Sequence, residues 1–270
     1  DGTVDGGGYA VSILERIMPS GKLLALDWDK NIIRKAKVRI EAKFQSQIVW
    51  VNDNFANLPE ILIKNKLPKA NGLVLDLGFS SEQLEESKRG FSFRKDEPLL
   101  MTYSEELRPV RELLKELSEE ELAGVIKELS GEKFAGRIAR AIKEQEKRKP
   151  IMTTQELAQA VQGAVPKNYE RGRIHPATRT FQALRIYANK ELENLERTLK
   201  NLPEILKSGG RIAIVAFHSL EDKLAKNYFR NFFKVGKLKI LTKKPVAPAR
   251  EEIRANPRAR SAKLRTALII

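Results

Sequence analysis

Residues 72–83 read GLVLDLGFSSEQ. Leu73, Val74 and Leu75 form a short apolar run that ends at Asp76 and Gly78, the pattern of a buried parallel strand delivering an acid to its carboxyl end. In open α/β sheets, ligands sit at that end. The residues from Gly78 to Ser81 then read as a loop facing a ligand instead of a continued strand.

Toward the N-terminus, DGTVDGGGYA places Gly6, Gly7 and Gly8 before Val11, Ile13, Leu14 and Ile17, an apolar face at helical spacing. Glycine there lets backbone approach a ligand at the start of the helix. Leu23 to Leu26 reads as a strand running into Asp27 and Asp29. Asp27 follows the glycines by about 20 residues, where a Rossmann-like second strand sets an acid on ribose hydroxyls. Ile48 to Val51 reads as a third strand, followed by Asn52, Asp53, Asn54 and Phe55, a polar group with a ring that suits an adenine; Phe55 also reads as core. The dinucleotide fingerprint wants Gly or Ala where Val11 stands, and no Lys-Ser/Thr follows a glycine loop. A cofactor without a pyrophosphate, such as S-adenosylmethionine, therefore fits better than NAD. A glycine loop of this kind should follow a central strand, so residues of a first strand are expected to be missing ahead of Asp1.

The 270 residues suffice for one large α/β domain carrying a smaller insertion. Fifty Lys and Arg against 35 Asp and Glu leave a net charge of +15, which favours a polyanionic partner. With no apolar run of membrane-spanning length and no leader pattern, a cytoplasmic protein with no membrane partner is expected. Zero cysteine excludes disulfides, thiolate metal sites and cysteine nucleophiles, and no metal site is expected.

Beyond the central stretch, Phe91 and Phe93 stand among Arg and Lys, either stacking on bases or forming one face of a buried strand. Ser118 with Glu121, and Thr153 with Glu156, predict capped helices; Gly131 predicts a helix stop, and Phe134, Ile138 and Ile142 a further helix with Arg137, Arg140 and Lys143 opposite. These define an inserted helical domain over 105–175, within a main domain of 1–104 and 176–270. A long helix is expected from Pro176, with a Leu192, Leu195, Leu199, Leu202 stripe, a kink at Pro203 and an end at Gly209 and Gly210. Arg211 to Phe217 reads as an apolar strand with His218 past its carboxyl end and Ser219 capping the next helix. Strands near 238–241 and 264–269 close the chain around the basic segment 256–265, where RNA contact competes with a solvated loop.

Taken together, DLGFSSEQL, RGFSF, HPATRTFQALRI, FHSLED, LTKKP and NPRARSAKLR resemble the 16S ribosomal RNA (cytosine-N4)-methyltransferase family, MraW/RsmH. The resemblance implies a class I S-adenosylmethionine-dependent fold, a Rossmann-like α/β sheet with an inserted helical domain. It also implies methylation of a cytidine in the decoding region of 16S rRNA within the small ribosomal subunit. By motif position, the cofactor would touch Gly7, Gly8, Tyr9, Asp27, Phe55, Asp76 and Gln83. Tyr9 stands where the family has His, and Leu100, Met101 and Thr102 stand where it has Asp-Met-Arg.

Cytosine's exocyclic nitrogen is a poor nucleophile, because its lone pair is delocalised into the ring. A group must accept a hydrogen bond from the amine, and Asp76 or the carbonyls of Leu77 and Gly78 are expected to serve, the alternative being that Asp76 holds only the cofactor. Carbon-5 methylation needs a cysteine thiolate, which the chain lacks. Arg179 and His218, with Arg258 and Arg260, are expected to position RNA. The rivals are a catalytically silent RNA-binding assembly factor on the same fold and a nicotinamide-dependent oxidoreductase. A homodimer is left open.

Overall fold

Leu23–Asp27 (β1) and Ile48–Asn52 (β2) pair in parallel, Leu23 opposite Ile48 and Asp27 opposite Asn52. Ala70–Asp76 (β3) pairs in parallel with Leu206–Ala216 (β4). Leu238–Ile240 (β5) and Lys263–Ile269 (β6) complete a second sheet in the order β3-β4-β6-β5, with β6 antiparallel to both its neighbours. The computed structural model describes residues 1–44, 47–80, 83–84 and 87–270, so Ser81 and Glu82, at the tip of the expected ligand loop, lie outside the described residues.

Between β1 and β3 runs the segment Asp1 to Val4. The Gly2 amide donates to the Val74 carbonyl on one side; on the other, the Val4 amide donates to Leu26 and the Leu26 amide to Asp1, each at 2.9 Å. These four residues hold the central place that the glycine loop requires, and they join the two sheets in the order β2, β1, 1–4, β3, β4, β6, β5. No regular strand is described ahead of the loop, and residues 1–4 fill that position. Successive strands leave this centre in opposite directions, which creates a switch point at the carboxyl ends of β1 and β3.

Two compact units make up the chain: Asp1–Ser80 with Leu192–Ile270, and Ser81–Glu191. In the first, Gly8–Ile17 (α1) and Lys30–Phe44 (α2) bury Ala10, Leu14, Ala36 and Ile40 against β1. Leu58–Lys64 (α3) adds Leu58, Ile61 and Leu62 to a second core around Leu73 and Leu75 of β3 and Ile212 and Ile214 of β4.

The second unit takes in more chain than the helical run 105–175. Among the described residues its helices include Val110–Glu116 (α4), Glu119–Ser130 (α5), Ala135–Arg148 (α6), Thr154–Ala164 (α7) and Ala177–Asn189 (α8). Leu99, Met101, Phe181 and Leu184 lie in the same core as Leu122, Ile126, Ile138 and Leu157. Both expected capping boxes form, and Gly131 ends α5 at φ 67°. The Lys143 ammonium caps α4 by donating to the carbonyls of Leu114 (2.8 Å) and Lys115 (3.2 Å). Phe91 stacks on Tyr103 at 5.3 Å, and Phe93 packs on His175 and Phe181 at 4.5 and 5.0 Å, so both rings are taken up by packing, in loop and not in strand.

The long helix expected from Pro176 is broken. Lys190 adopts φ 50°, ending α8, and Glu191–Lys200 (α9) starts anew. The buried Asn189 sets the break: its Nδ2 donates to the Met101 carbonyl at 2.7 Å, and its Oδ1 accepts the Tyr103 amide at 2.8 Å. Pro203 does not kink a continuing helix; it lies in the first turn of a separate one, Leu202–Ile205 (α10). Gly209 and Gly210 do not stop that helix. They lie inside β4, where Gly209 takes φ 78° and the pairing with β3 shifts register between Ala70 and Gly72. Leu195, Leu199 and Leu202 form the expected buried stripe. Ser219–Lys234 (α11) and Arg250–Ala255 (α12) complete the helices. Among the described residues no helix is long and apolar enough to cross a membrane.

Candidate cofactor site

At the switch point the glycine loop turns from residues 1–4 into α1. Gly7 caps the helix at φ 84°, and a β-carbon there would stand 2.6 Å from Ile40 Cδ1. Gly8 has nothing within 4 Å of where its β-carbon would be, so its backbone faces open space. The loop is tied to the end of β1 by Asp27, whose Oδ2 accepts the Asp5 amide at 3.1 Å and whose Oδ1 accepts the Asp29 amide at 2.9 Å. Asp27 is 7% exposed. Burial, opposed by those amides and reinforced by the neighbouring Asp29, raises its pKa to about 6.

Across residues 1–4, Asp76 ends β3. Its amide donates to the Thr3 hydroxyl at 2.7 Å, and its Oδ1 accepts the Gly78 amide at 3.0 Å. Burial, with Glu221 nearby, holds its carboxyl above the usual aspartate range despite the Gly78 bond. Gly78 has no room for a side chain: a β-carbon would meet Phe217 Cε2 at 2.6 Å and Asp76 Oδ1 at 3.0 Å. Tyr9 projects from the first turn of α1, 44% exposed. Partial burial first, and then the charges of Asp76, Glu252 and Asp5, raise its phenol pKa. Phe55 is half-buried beyond β2, against the core that contains Leu75.

Neither Asp27 nor Asp76 has a cationic partner among the described residues. A buried carboxylate, Asp27, and a half-buried one, Asp76, flanking an open glycine backbone suit a ligand that carries hydroxyl donors and a positive charge. S-adenosylmethionine has both: ribose hydroxyls, and a sulfonium with an ammonium group. The residues present therefore fit that cofactor.

The structure brings Gly7, Gly8, Tyr9, Asp27 and Asp76 together, with Phe55 behind them. Gln83 belongs to the second unit, where it is buried and its carbonyl accepts the Ser87 hydroxyl at 2.6 Å. Arg179, also in the second unit, is engaged by the Tyr169 hydroxyl at 2.8 Å. Arg258 and Arg260 are exposed on the 3-10 turn Pro257–Ser261, whereas Lys263 and Arg265 turn inward to Asp222, at 3.4 and 2.7 Å. Sequence reasoning missed Thr3 and Asp5, which fix Asp76 and Asp27 through hydrogen bonds that no spacing rule marks.

His218 is half-buried, and it, not Ser219, is the cap. His218 caps α11: its Nδ1 accepts the Glu221 amide at 3.4 Å, while Glu221 Oε2 accepts the amides of Phe217 (2.9 Å) and His218 (3.3 Å). The His218 side chain is 11% exposed. Ser219→Ala should therefore change stability by less than about 0.5 kcal/mol, and Glu221→Ala should cost about 1–2 kcal/mol in urea denaturation. Equal losses would return the cap to Ser219.

The chain matches the MraW methylase family over residues 1–270. It is 45% identical to the ribosomal RNA small subunit methyltransferase H of Syntrophus aciditrophicus, over 99% of this chain and 90% of the relative. It is 41% identical to the protein of the same name from Syntrophobacter fumaroxidans, over 98% and 88%.

Proposed function

This chain belongs to the MraW methylase family, and we propose that it transfers a methyl group from S-adenosylmethionine to the N4 amine of a cytidine in the decoding region of 16S rRNA, in the cytoplasm. The observation that carries this reading is the pair of carboxylates, buried Asp27 and half-buried Asp76, at the carboxyl ends of strands on either side of residues 1–4. S-adenosylmethionine supplies an electrophilic methyl on a positively charged sulfur. Asp27 would accept its ribose hydroxyls, and Gly7 and Gly8 would let backbone lie against it, with Tyr9 at the mouth and Phe55 behind.

Asp76 has a second task toward the base. Oδ1 is held by the Gly78 amide, which leaves Oδ2 to accept an N–H from the cytosine amine and localise its lone pair. The carbonyls of Leu77 and Gly78 are the neighbouring acceptors. A carboxyl with a raised pKa is also better suited to take up the proton that the amine must lose. The relatives' name, a small-subunit rRNA methyltransferase, and the basic charge of +15 support an RNA substrate. The test is to incubate the chain with S-adenosylmethionine and unmethylated small-subunit RNA, and to digest the product to nucleosides for mass spectrometry. N4-methylcytidine is expected; a ribose-methylated or carbon-5 product would overturn the reading.

The raised pKa of Asp27 predicts a pH dependence. Ribose hydroxyls are held by the ionised carboxylate, whose pKa in the ligand-free site is about 6. Affinity for S-adenosylmethionine should be flat above that value and fall about tenfold by one unit below it. In Asp27→Asn the affinity should be low and this pH step absent. An unchanged step in that variant would assign it to another group.

A further inference from the structure

Within the second unit, Lys133, Phe134, Tyr169, Arg171, Arg173 and Arg179 line a cavity of about 390 Å³. Its wall is fixed by a buried network. Glu132, 1% exposed, accepts the Phe134 amide at 2.9 Å through one oxygen and the Tyr169 hydroxyl through the other. The Tyr169 oxygen in turn accepts Arg179 Nη1 at 2.8 Å, and Arg179 lies 3.7 Å from Glu132. Burial and then Glu132 push the Tyr169 phenol up to about 12, so it stays protonated and keeps donating. Glu132, the acid among the described lining residues, is thus consumed inside the wall.

Lys133, Arg171 and Arg173 are exposed and have no acidic partner among the described residues. They stand beside the rings of Phe134 and Tyr169, whose centroids are 6.1 Å apart. Cations next to aromatic faces match a nucleotide, with phosphates on the former and a base on the latter.

Resting on the RNA-methylating reading above, we propose that this cavity anchors one nucleotide of the substrate RNA, its flanking phosphates held by Arg171 and Arg173 and its base set against Phe134 and Tyr169. The test compares the full chain with the double variant Arg171→Gln/Arg173→Gln, both substitutions being of exposed side chains. Binding of a labelled small-subunit RNA fragment is followed by fluorescence anisotropy across a salt series. The double variant should bind about tenfold more weakly, and its log affinity against log salt slope should be shallower by about 1.4, the release expected for two single-strand phosphates. S-adenosylmethionine affinity should not move. Phe134→Ala should weaken RNA binding about fivefold or more with the slope unchanged.

RNA affinity and slope unaltered in the double variant would overturn the proposal. So would a loss confined to free cytidine monophosphate, which would make this a mononucleotide site. Methyl transfer by the unaltered chain, assayed in parallel, separates the two claims. Transfer present with RNA binding unmoved by the variant sinks the anchor alone; transfer absent with RNA binding lost in the variant sinks the methylating reading alone.

Discussion

Asp76→Asn is expected to lower the rate of methyl transfer by about a thousandfold while leaving the fold intact, because the amide keeps the size of the side chain but neither carries the charge nor takes up a proton. The Gly78 bond survives, since an amide oxygen can accept it as Asp76 Oδ1 does. Removing a carboxyl whose pKa is raised by burial also removes a cost of folding, so the melting temperature should hold or rise. The split between constants decides the role of Asp76. A fall in kcat with unchanged affinity for S-adenosylmethionine identifies the acceptor for the cytosine amine. Loss of cofactor affinity at full kcat would make Asp76 a cofactor ligand only and move the acceptor role to the Leu77 or Gly78 carbonyl.

Gly7→Val should cost about 2–4 kcal/mol of stability and weaken cofactor binding with it. A valine must adopt φ 84°, a left-handed conformation that a β-branched residue strongly avoids, and its β-carbon would push on Ile40 Cδ1. Ile40 is 2% exposed in the core under α1, so that core must shift to make room. Gly8→Ala separates folding from binding. No atom lies within 4 Å of the added methyl and the backbone is not left-handed, so the fold should tolerate it. Cofactor affinity should nonetheless fall about tenfold, because the methyl occupies the space where backbone meets ligand. Urea denaturation and cofactor titration on both variants check the contrast. Equal stability losses would mean that the positive φ of Gly7 is not what demands glycine.

The site was legible where chemistry and strand ends coincide. An apolar run ending in an acid fixes which end of the sheet holds the carboxylate, and so Asp27 and Asp76 were readable as a pair. The capping boxes at Ser118 and Thr153 were legible because each uses only residues three apart. Elements governed by distant partners were not. Lys190 interrupts a helical pattern because Asn189 bonds to Met101 and Tyr103, more than 80 residues earlier. Phe91 and Phe93 look like base-stacking rings among arginines until Tyr103, His175 and Phe181 cover them. Ser219 has the usual chemistry of a cap, but Glu221 reaches back past it to the amides of Phe217 and His218. Lys263 and Arg265 count toward the basic charge in sequence, and only the tertiary position of Asp222 shows that both are paired within the fold. The cavity beside Tyr169 had no signature at all, since its wall joins Glu132 to residues more than 30 positions away.

The measurement that bears most directly on the account is calorimetric titration of this chain with S-adenosylmethionine at pH 7, beside Asp27→Asn. The account predicts one binding site, with affinity reduced at least about tenfold in the variant through loss of the ribose contact. No binding by the unaltered chain, or equal binding by both, would contradict the placement of the cofactor between Gly7, Asp27 and Asp76.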